Sequence, residues 1–224
     1  MAATSSSHNR LPSVVELFEE KWSRYDNWYE EHRAIYETEL LTVREALRGI
    51  DAWRSVEVGV GTGRFAAPLG IGLGIDPSIN MLRVARSRGV ESVAGIAEAL
   101  PLRSNSLEAA LLIVTICFVD DPREAVREAA RVARYVIPCI VPRESSWGRF
   151  YEARRDRSPF YRHARFYTVR EIVDMGEEAG LRLEGCASSL YTPPPGPREP
   201  EKPRRVCDEE AGFVCIRLSR RATQ

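Results

Sequence analysis

The chain contains almost no lysine. Lys21 and Lys202 are the only lysines among 32 basic residues, and the rest are arginine. That skew accompanies genome composition or heat adaptation as readily as phosphate recognition, so by itself it assigns no partner. Net charge is also missing: 32 acidic residues balance the basic ones, and no strong basic stretch points to nucleic acid or a membrane surface. No uninterrupted apolar run approaches the roughly 18 residues of a membrane span, and the polar start, residues 1–10, lacks the apolar stretch of a signal peptide. A cytoplasmic location is the expectation. Cys117, Cys139, Cys186, Cys207 and Cys215 form no Cys-x-x-Cys pair and are odd in number, so buried free thiols are expected rather than disulfides or a zinc site, and no metal is expected. Histidine is scarce as well. His8 falls in a polar tail, which leaves His32 and His163 as the histidine bases available, with neither singled out.

What is present begins with a length of 224 residues and 44% apolar content, enough for one substantial domain with a cap. The organising stretch is 55–65, Ser-Val-Glu-Val-Gly-Val-Gly-Thr-Gly-Arg-Phe. A β-branched run suited to a strand covered on both faces leads straight into glycines and a helix start. Gly59, Gly61 and Gly63 free the backbone for unusual conformations and leave room for a ligand against the main chain. The dinucleotide fingerprint needs a sixth-place glycine, and Arg64 stands there, so pyrophosphate binding and a nicotinamide-dependent oxidoreductase are disfavoured. Asp76 closes the next strand-like run 17 residues after Gly59. A carboxylate at the end of the neighbouring parallel strand can accept both ribose hydroxyls of an adenosine held at the first turn. A bland glycine-rich turn, and an Asp-Pro turn at Asp76-Pro77, are the competing readings.

Downstream, Ser78 caps a helix carrying Met81, 91–95 reads as a third strand, and 109–116 as a buried fourth. Asp121-Pro122 opens a helix, 135–141 is a fifth strand, Thr168 caps another helix, and 181–191 and 211–218 supply the last two strands. The proline-rich stretch 192–205 reads as an extended, mobile loop. Upstream, 13–47 is helical, with Ser13 and Glu16 as a capping box and a dense aromatic stripe.

The spacing Glu57-x-Gly59-x-Gly61-x-Gly63, Asp76 and the run Ala97-Glu98-x-Leu100-Pro101 together resemble class I S-adenosylmethionine (SAM) dependent methyltransferases of the type 11 group. The resemblance covers about 55–218. It implies an α/β fold: a doubly wound, seven-stranded, mostly parallel sheet with an antiparallel last strand, under an N-terminal helical cap. The domain layout it suggests is a disordered tail at 1–12, the cap at 13–50, and a core at 51–224 with 143–167 as a substrate-side insertion. It further implies that Glu57 orients the cofactor's amino group and that Met81, Pro77, Ala97 and Glu98 lie near the adenine. Ile96 replaces the acid that usually accepts from the adenine amine. Thr115, Cys117 and Phe118 would lie beside the cofactor's methionine portion and next to the methyl group, and Tyr25 and Trp28 would face the cofactor from the cap.

Substrate residues expected on the same basis are Tyr29, Tyr36, Phe118, Trp147, Tyr151 and His163. Packing, an aromatic pocket and an arginine-lined acidic-substrate site compete for the 143–167 segment. No catalytic residue is singled out, because a sulfonium already carries an activated methyl group and needs chiefly a positioned acceptor. Cys117 as a nucleophile is disfavoured, since nothing near it in sequence lowers its pKa. SAM as cofactor, S-adenosylhomocysteine (SAH) as product and a small-molecule acceptor are the expectation. A non-catalytic SAM-binding adaptor or sensor and a methyltransferase acting on RNA or protein are the alternatives.

Overall fold

The structure, a computed structural model, describes residues 13–220, so the expected tail at 1–12 lies outside the described residues. Among them no helix is long and apolar enough to cross a membrane. Two helices open the chain, α1 (Val14–Glu31) and α2 (Arg33–Ala46). The Ser13–Glu16 capping box starts α1, and His32 leaves helical geometry between the two. The core follows as β1 (Val56–Val58), α3 (Ala66–Leu69), β2 (Leu73–Asp76), α4 (Ile79–Ser87), β3 (Ser92–Ala94) and β4 (Leu107–Ile113). It is completed by α5 (Pro122–Val132), β5 (Ala133–Ile140), α6 (Ser146–Glu152), α7 (Val169–Glu178), β6 (Leu181–Ser189) and β7 (Phe213–Arg220).

The seven strands form one sheet in the order β3-β2-β1-β4-β5-β7-β6, and β7 runs antiparallel to both of its neighbours. Strand period sorts the core. On β4, Ala110 and Leu112 belong to the layer under α5 and α7, whereas Ala109, Leu111 and Ile113 belong to the layer under α2, α3 and α4. All but Ile113 are fully buried, which is why this strand reads as a continuous apolar run. The chain order reverses between β1 and β4, and open α/β sheets collect ligands at the carboxyl ends of strands at such a point.

Three local expectations change. The fourth strand stops at Ile113 rather than 116, because Val114 takes a left-handed backbone (φ 51°) while its N–H still bonds Cys139 O. A β-branched residue in that region is strained, and such strain gathers at functional sites. The 192–205 loop is pinned rather than free. Glu201 accepts from the N–H groups of Tyr191 and Thr192, its own N–H donates to Thr38 Oγ1, and Arg204 pairs with Ser188 through two backbone hydrogen bonds. The cysteine expectation is corrected. Cys139 and Cys215 face each other across β5 and β7 and are joined, and Cys186 of β6 is joined to Cys207, leaving Cys117 free and buried. Sequence spacing could not show this, since sheet order brings Cys215 next to Cys139 across 76 residues. Alkylation of the denatured, unreduced protein should therefore modify Cys117 alone by mass spectrometry; labelling of all five would restore the free-thiol reading.

Candidate active site

The glycine turn leaves β1 with its three glycines in left-handed conformations and in three different jobs. A Cβ on Gly59 would lie 2.4 Å from the Thr115 side chain, so this glycine admits β4's end to the turn. A Cβ on Gly61 would lie 3.5 Å from the Tyr25 ring, and this glycine opens on a cavity. Gly63 instead packs against Ala85 and Val90, letting the next helix settle on α4. Asp76, at the end of β2, sits across from the turn: its Oδ2 accepts from Gly61 N–H and its Oδ1 from Ser78 N–H, both at 2.8 Å. Burial raises its carboxyl to about 6 against the pull of these two hydrogen bonds. Glu57, one strand away, is 2% exposed; burial pushes its carboxyl well up, and Oε2 has no partner among the described residues.

Over this end of the sheet lies α1. Glu19 accepts from Ser78 Oγ at 2.5 Å and Asn80 N–H at 3.0 Å, tying the helix to the start of α4. Further along, Asp26 accepts from Thr62 Oγ1 and takes two hydrogen bonds from each of the Arg64 and Arg88 side chains, between 2.6 and 2.9 Å. Arg64, the residue that breaks the dinucleotide pattern, is therefore the anchor of the cap. Reading the sequence missed that role, because Asp26 and Arg64 are separated by 38 residues.

Between cap and sheet runs a cavity of about 890 Å³, within the range of ligand sites. Of the residues expected from the sequence, Tyr25, Trp28, Tyr29, Gly59, Gly61, Asp76, Pro77, Met81, Ile96, Ala97, Glu98, Thr115, Phe118, Tyr151 and His163 line it. Four do not. Glu57 and Gly63 lie behind the turn, Tyr36 donates to Arg64 O and packs on Phe65, and Trp147 is 2% exposed with its Nε1 donating to Thr192 O. Trp147 fills space left by Gly212, a packing role. The Glu98 carboxylate lines the cavity while accepting from the N–H groups of Asp120 and Asp121, so it also caps the approach to α5. Ile96, half exposed, leaves the rim there apolar.

The structure adds residues that sequence reading did not select. Phe18 meets Tyr25, Phe118 and Phe160 at 5.1 to 5.5 Å between ring centroids and closes the roof. Tyr161 stacks obliquely on Tyr151 at 4.5 Å. Glu39 of α2 reaches the cavity from a position 7% exposed. Cys117, expected beside the methionine portion, lines the cavity too, and burial raises its thiol to about 12, so it is a neutral thiol rather than a nucleophile.

The geometry suits SAM on two counts: the Gly61 cradle is open to the cavity, and behind that turn a buried Glu57 oxygen lacks a partner among the described residues. Comparisons with known proteins agree. A methyltransferase domain model of type 11 matches residues 56–135. The crystal structure of a SAM-dependent methyltransferase from Thermotoga maritima, described as a "possible histamine N-methyltransferase", is 41% identical, covers 92% of this chain and 99% of its own, and superposes with a TM-score of 0.86. An uncharacterized protein of Methanocaldococcus jannaschii is 32% identical over 90% of this chain and 98% of its own length. A demethylmenaquinone methyltransferase of Roseiflexus sp. is 30% identical over 62% of this chain and 57% of its own. A glycine turn with an acid on the next strand, a seven-stranded sheet with a reversed β7, and a full-length relative of this kind place the chain in the type 11 group of class I SAM-dependent methyltransferases.

Proposed function

We propose that the protein transfers the methyl group of SAM to a small-molecule acceptor by in-line displacement inside the roofed cavity. The observation that carries this reading is the continuity of that cavity, from Gly61 and Asp76 beneath α1 to the aromatic wall of Tyr29, Tyr151 and Tyr161. The cofactor supplies an activated methyl group, and the protein's part is to bind, exclude water and align.

In this reading Asp76 accepts the ribose hydroxyls with the lone pairs left after Gly61 and Ser78. Gly59 and Gly61 admit the methionine end, and Glu57, set behind the turn, orients its amino group through water. Pro77, Met81, Ile96, Ala97 and Glu98 enclose the adenine, with backbone groups near Ala97 supplying polar contacts that Ile96 cannot. Tyr25, Trp28 and Thr115 flank the methyl, and Tyr29, Phe118, Tyr151 and His163 meet the acceptor. A roof held by Asp26, Glu19 and Phe18 favours a small acceptor over an RNA or protein chain. A cytoplasmic setting belongs to the same proposal.

Calorimetric titration with SAM, SAH and NAD in separate runs tests it. The first two are expected to bind and NAD not to. Binding of NAD alone, or of none, would overturn the assignment of the cavity. Methyl transfer from labelled SAM in a cell extract should then enter the small-molecule fraction, and label in RNA or protein instead would overturn the choice of acceptor.

A further inference from the structure

α2 should present polar residues to solvent, yet it turns Thr38, Glu39 and Thr42 inward. Thr38 and Thr42 are satisfied: their hydroxyls donate to Ala34 O and to Thr38 O, and Thr42 also reaches Ser189 Oγ. Glu39 is different. The residue is 7% exposed and lines the cavity, and its carboxyl has no hydrogen-bond or ion-pair partner among the described residues. The groups in electrostatic reach of it are hydroxyls of tyrosines: Tyr25 and Tyr29 from α1, Tyr151 from α6 and Tyr161 from the following loop. Arg24 and His163 line the same cavity elsewhere, but burial is the only influence acting on the Glu39 carboxyl.

An ionised carboxylate without a counter-charge is costly in such a place, so an unpaired acid at a ligand wall implies a ligand that brings the missing cation. Aromatic residues favour the same charge: Tyr29, Tyr151 and Tyr161 line the cavity with Glu39, and aromatic rings attract cations. Tyr25 lies beside Gly61 and within electrostatic reach of Glu57, Asp76 and Glu39, and it lines the same cavity as Gly61, Asp76 and Glu39.

We propose that the methyl acceptor is an amine and that Glu39 is the carboxylate that binds its ammonium form and removes its proton. This rests on the methyltransferase reading above. The Glu39 carboxylate takes one proton from the bound ammonium; the freed nitrogen lone pair forms the N–C bond as the C–S bond breaks, its electron pair staying on sulfur. The positive charge passes from sulfur to the methylated nitrogen, SAH remains, and the proton on Glu39 leaves to solvent. Burial raises the Glu39 carboxyl to about 8, so without a ligand it is largely protonated at neutral pH, and an arriving ammonium favours its ionised form with release of that proton.

The test uses SAH-saturated protein titrated with three probes of one shape and different charge: phenethylamine, 2-phenylethanol and 3-phenylpropanoate. Phenethylamine is expected to bind at least about tenfold more tightly than the other two. Glu39→Gln should remove that preference while leaving SAH affinity unchanged. Titration of the amine at pH 7 in buffers of different ionisation enthalpy should show proton release on binding to the wild type and none with the variant. Failure of SAH to bind would overturn the cofactor assignment. SAH binding with no preference for the amine, including no binding by any probe, would overturn the amine proposal alone, and this outcome needs no variant. A preference that survives in Glu39→Gln would remove Glu39 from the role.

Discussion

Asp26→Ala is expected to lower folding stability by about 3–5 kcal/mol, the range for removing one member of a buried charge network. The carboxylate is 13% exposed, as is Arg64, and Arg88 is 27% exposed. Truncation leaves Arg88 without its ion-pair partner and Arg64 with only the exposed Glu30 carboxylate among the described residues. It also loosens α1 from the glycine turn, because Thr62 and Arg64 both belong to that turn and of these side-chain pairs only Arg64–Glu30 remains. SAM affinity should fall with stability. Burial of Asp26 works against its charge, but hydrogen bonds from Arg88, Arg64 and Thr62 outweigh it and hold the carboxyl well below the usual carboxylate range. A depressed acid stabilises the fold above its unfolded pKa of about 3.9 and loses that contribution as pH falls through the folded value. Denaturant unfolding should therefore show a constant gap between wild type and variant from pH 7 to 5, narrowing only in stronger acid. A gap under about 1 kcal/mol at pH 7 would mean that the arginines are held by solvent instead.

The second large effect concerns ligand affinity. Asp76→Ala should weaken SAM binding by about 1–3 kcal/mol, the range for losing hydrogen bonds to a charged group, or roughly 5- to 150-fold. Here the pH sign is opposite to that of Asp26. Burial lifts the Asp76 carboxyl to about 6, so the folded protein takes up this proton more readily than the unfolded chain does. Its contribution to stability falls as pH rises from about 4, the unfolded value, to the folded one, and is flat above. Affinity behaves differently: the ionised form is the better acceptor for ribose hydroxyls, so SAM binding should weaken from pH 7 to pH 5 in the wild type. Asp76→Asn should be weak and nearly independent of pH over that span. Calorimetry at several pH values reads both, and a folded alanine variant with unchanged affinity would place the ribose elsewhere.

Much of the candidate site was legible because it is local. Glu57, the glycines and Asp76 lie within 20 residues, and strand period and turn chemistry alone place them at one end of neighbouring strands. Glu39 shows where legibility ended. In sequence it is one acid among several on a helix, and solvated acids are the rule. Its spacing held the signal: Ile35, Glu39 and Val43 recur every four residues, all three are buried, and so the acid lies on the buried stripe. Trp147 erred the other way. An aromatic in the expected substrate wall became a core residue, because Gly212 across the fold leaves a space that fits it.

By itself the sequence determined the order of strands and helices, the cofactor turn and the acid opposite it, since each depends on residues within a turn or two of one another. Tertiary structure decided the pairing of Cys139 with Cys215, the clasp of Asp26 on Arg64 and Arg88, the separate duties of Gly59, Gly61 and Gly63, and the isolation of Glu39. These depend on which surfaces the sheet order and the docking of α1 and α2 bring face to face. Burial and partnership of a charge are properties of that juxtaposition, and no run of neighbouring residues encodes them.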